Sequence, residues 1–436
     1  MGMDVNAELA ALGVRVPDVL LPTSDLFAWA VVACDQFTSQ PDYWREADEI
    51  VGDQPSTLRL IFPEVYLDEP DADGRVTSIN AAMADYLARG LFAEHPATMV
   101  LVRRETRHGV VRWGLMVALD LEQYSWQPDA RTLIRATEGT ILDRLPPRVA
   151  IRQHAPLELP HIMVLVSDGQ RRLIEPLAAA ADRLTPLYDT RLMLDGGRVS
   201  GWAVTADHDL AHVADALQRL HAALDPANPL LFAMGDGNHS FATAKSIWNE
   251  VRDTLSDEQR ADHPARFCLV ELENIYDPGL EFEPIHRVLF GTDRATFERA
   301  LADQCRSFDR SPCADTPDLL AAIEQSAAQT FGFVDADGPA LYRLTQPAAS
   351  IAAGTLQRTI DALLAAGNGH VDYIHGVSVA DELGRSSGNL ALLLPQVPKD
   401  AFFASIVADG ALPRKTFSLG EAQGKRYYLE ARRIIE

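Results

Sequence analysis

The 436-residue sequence is short of cysteine, of positive charge and of long apolar runs, and each shortage removes a class of protein. Its four cysteines, Cys34, Cys268, Cys305 and Cys313, are scattered and none forms a C-x-x-C pair, so neither a disulfide framework nor a zinc knuckle is indicated. Lysine and arginine number 39 against 62 aspartates and glutamates, a formal net charge of -23. A broad electrostatic grip on nucleic acid is therefore not expected, and no basic helix or stripe is visible. No apolar run approaches the roughly 18 residues of a membrane-spanning helix. The opening residues, with Asp4 and Glu8, lack the cationic lead of a signal peptide. The expected setting is the cytoplasm, with no membrane and no nucleic acid as partner. No repeat of fixed period occurs.

What is present suits a globular protein of more than one domain: 47% of the residues are hydrophobic, and the length exceeds one ordinary core. Short apolar strands alternate with helical patterns, which predicts a mixed α/β (α+β) fold with mixed sheets. The order of elements suggests an N-terminal α/β domain over 1–205 and a core over 206–295. An inserted subdomain over 296–350 and a C-terminal part over 351–436 that completes the core would follow. Among the predicted elements are a strand over Phe27–Ala33, a strand-like stretch over Leu58–Leu67, a hairpin turning at His108-Gly109 and a helix from Asp207 to Leu224.

The stretch richest in reactive groups is Leu230-Leu231-Phe232-Ala233-Met234 followed by Gly235-Asp236-Gly237-Asn238-His239. An apolar run of that length reads as a buried strand. Phe241, Ala244, Trp248 and Val251 then recur at helical spacing and share one face. A carboxylate, an amide and an imidazole are thus concentrated in a strand-to-helix turn, where free N–H groups favour anions. Asp236 is the candidate metal ligand, Gly237 and Asn238 candidate phosphate contacts, and His239 a candidate proton carrier or phosphate donor. The bland alternative is a helix cap with a packed histidine. Two competing motifs are weaker. Gly235-x-Gly237 would be a dinucleotide turn, but Asp236 would oppose a pyrophosphate and Ser240 replaces the third glycine. His208 and His212 stand at i and i+4 with Asp209 between, which suits a pair of surface histidines better than a zinc site.

Positive charge gathers in two places. One is the segment with Arg131, Arg135, Arg144, Arg148 and Arg152, which reads either as a salt-bridged surface strip or as a guanidinium pocket for phosphate or carboxylate. Glu138, close to Arg135, is the candidate general base. The other is Leu412-Pro413-Arg414-Lys415-Thr416. His286 and Arg287, following a strand that carries Glu271 and Glu273, complete the candidate anion contacts.

Asp236-Gly237-Asn238-His239 with Thr243-Ala244, and Pro284-Ile285-His286-Arg287-Val288, resemble paired signatures of a widespread bacterial and archaeal domain-of-unknown-function family. The resemblance extends to Trp29–Gln36, Pro63–Leu67, Arg135-Ala136-Thr137-Glu138-Gly139-Thr140 and Leu412–Thr416. A more distant similarity is to the ParB/sulfiredoxin-like superfamily, which includes nucleotide-dependent free serine kinases and CTP-binding partition proteins. That similarity implies a strand–turn–helix core in which Asp236 meets a metal or nucleotide phosphate and His239 meets phosphate. Ser240 stands where the superfamily has arginine, and the turn holds no cysteine for sulfiredoxin chemistry. The expected activity is a nucleotide- and Mg²⁺-dependent phosphotransferase using ATP or ADP, with a small phosphorylated molecule as ligand. A non-catalytic nucleotide sensor is the alternative, and a metal-dependent hydrolase the third. Substrate and oligomeric state stay open.

Overall fold

The computed structural model describes residues 4–139, 145–326 and 328–435. It is a multidomain α/β structure whose chain divides into two compact units, Met1–Leu280 with Gly420–Glu436, and Glu281–Leu419. The sequence placed boundaries near 205, 295 and 350. The boundary at 205 does not separate compact units, because strands on both sides of it share one sheet and one core.

The main sheet of the first unit has ten described strands. It uses β1 (Met99–Glu105), β2 (Val111–Asp120), β3 (Tyr124–Ser125), β4 (Ile134–Arg135), β5 (Met163–Val166), β6 (Thr185–Leu192), β7 (Gly197–Val204), β8 (Phe232–Asp236) and β9 (Phe267–Asn274). Their order is β6-β7-β1-β2-β9-β5-β8-β4-β3, and Val14–Arg15 pairs with β2. Gly109 takes the left-handed backbone, φ 75°, at the predicted β1–β2 hairpin. Both faces of the sheet are covered, as the alternation of side chains along the strands requires. Leu101, Leu115 and Val117 face one core with Phe241 and Trp248, while Val100, Val102 and Met116 face another with Trp29, Trp44 and Tyr428. β7 is an interior strand, between β6 and β1.

Two early stretches differ from their sequence pattern. Leu26–Trp29 is a helical turn capped by Asp25, and Val32 makes one bridge to Tyr427. Leu58–Leu67 carries two 3₁₀ turns, Thr57–Arg59 and Glu64–Tyr66. Both runs are apolar because they are buried in irregular backbone; burial alone does not make a strand.

The C-terminal stretch from Gly420 belongs to the first unit and is clamped there by arginines. Arg104 Nη2 donates to the Gln423 carbonyl at 2.7 Å, and Arg112 Nη1 to that of Gly424 at 2.6 Å. Arg426 lies between Glu271 and Glu430, with its Nε donating to the Pro160 carbonyl at 2.9 Å. Ala431 pairs with Leu20, and Arg432–Arg433 with Leu157–Glu158. Arg112 Nε meets Glu273 at 2.7 Å; burial nevertheless pushes the Glu273 carboxyl up to about 8, aided by Glu271 and Asp277.

The second unit carries its own sheet: β10 (Phe282–Phe290), β11 (Cys305–Pro312), β12 (Thr330–Asp335), β13 (Gly338–Pro347), β14 (His370–His375), β15 (Asn389–Leu393) and β16 (Phe417–Leu419). The order is β11-β13-β12-β15-β10-β14, with β16 on β10. Val288, Leu319, Leu341, Ala391 and Leu393 form part of its core. Among the described residues, no helix is long and apolar enough to cross a membrane.

Candidate functional site

β8 runs parallel to β4 and antiparallel to β5, and its last residue is Asp236. Gly237 follows with φ 78°, and helix α1 (Asn238–Arg252) begins at once. The glycine is required twice over. L side chains disfavour that φ, and a Cβ there would lie 2.9 Å from Ile162 Cγ1 and 3.1 Å from Ile162 Cα. Gly237→Ala is expected to cost about 2 kcal/mol or more, read as a lower urea midpoint with an unchanged slope.

The side chains of the turn divide between scaffold and site. Asn238 Oδ1 accepts the Thr137 backbone N–H at 3.0 Å, its Nδ2 donates to Thr137 Oγ1 at 3.2 Å, and that hydroxyl donates to the Met234 carbonyl at 2.7 Å. The segment around Arg135 therefore reaches the turn, through Thr137 and the β4–β8 pairing. The Arg135 guanidinium points into other bonds: Nε donates to the Thr132 carbonyl at 3.0 Å, and Nη2 to Asn228 Oδ1 at 2.6 Å and the Pro229 carbonyl at 2.5 Å.

Asp236 Oδ1 accepts the Gly237 N–H at 2.9 Å, and its Oδ2 meets Lys425 Nζ at 3.1 Å. Lys425 keeps 7% of its side-chain exposure and Asp236 23%, so the pair is largely removed from water. Burial works to raise the Asp236 carboxyl, but Lys425, His161 and the Gly237 N–H together hold it below the ordinary carboxylate value.

Next to this pair, His161 Nε2 and Ser240 Oγ are 2.9 Å apart, and His161 Nδ1 lies 3.0 Å from the Tyr428 hydroxyl. That hydroxyl accepts the Cys34 N–H at 3.0 Å, and Asp35 Oδ2 lies 3.9 Å from His161 Nε2. His161, Ser240, Tyr428 and Cys34 border a cavity of ≈ 130 Å³ whose lining also includes the Glu64–Arg148 ion pair. Burial raises the Glu64 carboxyl above its ordinary value, an effect that Arg148 only partly offsets.

His239 and Glu138 are half-buried and each has an interaction partner. His286 and Arg287 lie on β10 in the second unit. His286 Nδ1 accepts the Leu394 N–H at 3.1 Å, and burial, then Arg287 and His375, press its imidazole down to about 4. Arg287 is fully buried, donates to the Ile285 carbonyl and stands 5.2 Å over the Tyr373 ring. Thr140 and Arg144 of the arginine segment lie outside the described residues. Among the described residues, no group of three or more His, Cys, Asp or Glu is arranged to hold a metal ion. His208 is exposed, and Asp209 is buried against Arg183.

Sequence reasoning missed Lys425, His161, Tyr428 and Glu64 as site residues, and it named Arg148 only within the arginine segment. The one available signal was Lys425-Arg426-Tyr427-Tyr428, a basic and aromatic run in an acidic chain, which lies just beyond the second basic spot.

A search of curated proteins finds no match to the chain. Solved structures with a similar path include a free serine kinase variant in complex with AMP, at 7% identity and TM-score 0.40, covering 73% of this chain and 92% of that one. A conserved hypothetical protein from Pyrococcus furiosus aligns at 8% identity and TM-score 0.35, covering 72% and 90%. SbnI with a C-terminal truncation, from Staphylococcus aureus, aligns at 10% identity and TM-score 0.34, covering 70% and 82%. Likeness of this degree transfers no residue roles. The family description "Protein of unknown function (DUF1015)" matches residues 16–363. With most of its length matched, including the Asp236 turn and the strand that carries His286 and Arg287, the chain belongs to the DUF1015 family.

Proposed function

We propose that the chain is a nucleotide-dependent phosphotransferase acting on a small metabolite, with the Asp236–Ser240 turn as the seat of the nucleotide phosphates. The observation that carries this reading is the buried Asp236–Lys425 pair at the α1 N-terminus, with His161 beside Asp236. The N-terminus of a 15-residue helix favours an anion through its dipole, and a buried ammonium adds fixed positive charge. Phosphoryl transfer asks for such positioning and charge and for little covalent chemistry from protein. The strand, left-handed glycine and helix would be the ParB/sulfiredoxin-like core that the sequence suggested.

In this reading the backbone at Asn238 and His239 holds phosphate oxygens, with the Gly237 N–H kept by Asp236, and Lys425 neutralises them. Arg135, bonded around Asn228 and Pro229, holds the loop that leads into β8. Glu138 and His161 are the two candidates to take the acceptor proton. Mg²⁺ commonly binds through one or two carboxylates and the nucleotide's own oxygens, and Asp236 offers one such carboxylate. The ion would supply further charge neutralisation at the phosphates. No role is assigned to His286 or Arg287 in this seat.

The test is calorimetry with ATP and ADP, with and without Mg²⁺. Native protein is expected to bind more tightly with Mg²⁺. Asp236→Asn should abolish that difference while keeping metal-free binding, because Lys425 remains. An undiminished Mg²⁺ dependence in this variant would remove Asp236 from its role. A sensor without turnover is the second reading, favoured by the pairing of Lys425 with the carboxylate that the metal would need. Saturable binding with no phosphorylated product across a broad acceptor screen would select it.

A further inference from the structure

The cavity beside His161 differs in character from a phosphate site. Leu60, Phe62, Met83, Ile151, Leu157 and Leu269 contribute apolar wall, and Arg152 and Glu158, which also line it, are paired with each other. Its polar strip is continuous. Ser240 meets His161, His161 meets Tyr428, Tyr428 meets the Cys34 N–H, and the Cys34 carbonyl accepts the Glu64 N–H at 2.8 Å. A volume of ≈ 130 Å³ is close to that of an apolar cavity of about 150 Å³ known to take benzene. It is far too small for a nucleotide, and apolar walls would strip a phosphate of its hydration without replacing it.

The head group of an occupant would meet His161 and Ser240. Asp35 stands 3.9 Å from His161 Nε2, so a carboxylate head there would face like charge, while an ammonium head has no lone pair to accept from Ser240 or His161. A neutral hydroxyl can both donate and accept there, matching an imidazole and a serine.

We propose that this cavity holds the apolar body of a small alcohol, of about five to seven carbon atoms by the cavity volume, with its hydroxyl at His161 Nε2 and Ser240 Oγ. The inference names the acceptor class of the phosphotransferase reading and rests on that reading. It makes the cavity the acceptor seat and the helix terminus beside it the phosphate seat.

Binding is measured without nucleotide, by calorimetry or ligand-observed NMR on the full chain, using benzyl alcohol, toluene, benzylamine, benzoate and ethanol. Benzyl alcohol is expected to bind saturably and about tenfold more tightly than toluene, the margin of one hydrogen bond in a buried site. Benzylamine, benzoate and ethanol should be weaker. Met83→Trp, which fills the cavity, should abolish benzyl alcohol binding and leave ATP binding intact. Ser240→Ala should bring benzyl alcohol and toluene to similar affinity. The proposal is overturned if native protein shows no saturable benzyl alcohol binding, if benzylamine or benzoate is preferred, or if folded Met83→Trp binds as before. Should Met83→Trp not fold, the Ser240→Ala ratio decides alone. Intact alcohol binding in a protein that binds no nucleotide would keep the cavity assignment and sink the phosphotransferase reading, so the two failures are separable.

Discussion

Lys425→Met is expected to lose nucleotide binding by one to two orders of magnitude, with or without Mg²⁺, and to destabilise the first unit. The ammonium is the fixed cation of the proposed phosphate seat, and charge-assisted bonds to a phosphate oxygen contribute about 1.5–3 kcal/mol each. Its removal also strands Asp236. Deleting one member of a buried ion pair costs about 3–5 kcal/mol, and the 23% exposure left to Asp236 places this case near the lower end. The pH dependence separates the two members. In the native protein the Asp236 carboxyl lies below its ordinary value, so its contribution is present above the unfolded-state value and is lost as pH falls through the folded one. Without Lys425, the upward push of burial loses its main opponent and the folded value rises. The sign then reverses, and the variant's deficit against native protein narrows as pH falls from 7 toward 4. Urea midpoints at several pH values would read this. A deficit independent of pH would show that Lys425 stabilises by packing alone. Adding Asp236→Asn to Lys425→Met should recover most of the stability and none of the nucleotide affinity.

Arg426→Met is expected to have the largest effect on stability of any single substitution considered. Its guanidinium bridges Glu271 and Glu430, whose exposures are 1% and 0%, while its own is 3%. Removing it leaves two carboxylates out of water with no shared cation, at a cost of about 4–5 kcal/mol or more, a large part of a domain's net stability. Tyr188 donates to Glu430 and cannot replace the charge. Because Arg426 sits between Lys425 and Tyr428 on the C-terminal stretch, loosening it should also disperse the site. The measurements are the urea midpoint and amide exchange of residues 420–435, which should lose protection together. If the folded fraction at neutral pH were unchanged, the bridge would not be holding the stretch. Glu271→Gln with Glu430→Gln in the Arg426→Met background should restore part of the loss, since neutral amides are far cheaper to bury than carboxylates.

Ser240 shows how much of the site could be read in advance. In the sequence its position was marked only by a resemblance, as a serine where the resembled superfamily has arginine. That comparison could say only that a guanidinium was absent. In the fold the small hydroxyl lets His161 come within 2.9 Å, and a long arginine would fill the same space. The Asp236–Gly237–Asn238 turn was legible because its signals are local: an apolar run, a glycine, and a helical period set by Phe241, Ala244 and Trp248. The link to the Arg135 segment was legible in part. Strand β4 does lie beside β8, but it brings Thr137, and not the guanidinium, to Asn238. Lys425 and His161 were not legible as partners. They are distant in sequence from Asp236, and no periodicity records which loop returns to which strand end.

By itself the amino-acid sequence determined the acidic, disulfide-free α/β character of the chain and the strand–turn–helix at Asp236. Strand and helix periods, and the left-handed backbone that glycine allows, are properties of neighbouring residues. Tertiary structure alone decided that the final stretch, after the whole second unit, rejoins the first and supplies the ammonium beside Asp236. It also decided that His161 and Tyr428 close one wall of an apolar cavity. Those contacts depend on the enclosure of charges that must be paired once water is excluded, and that requirement acts between surfaces brought together by folding.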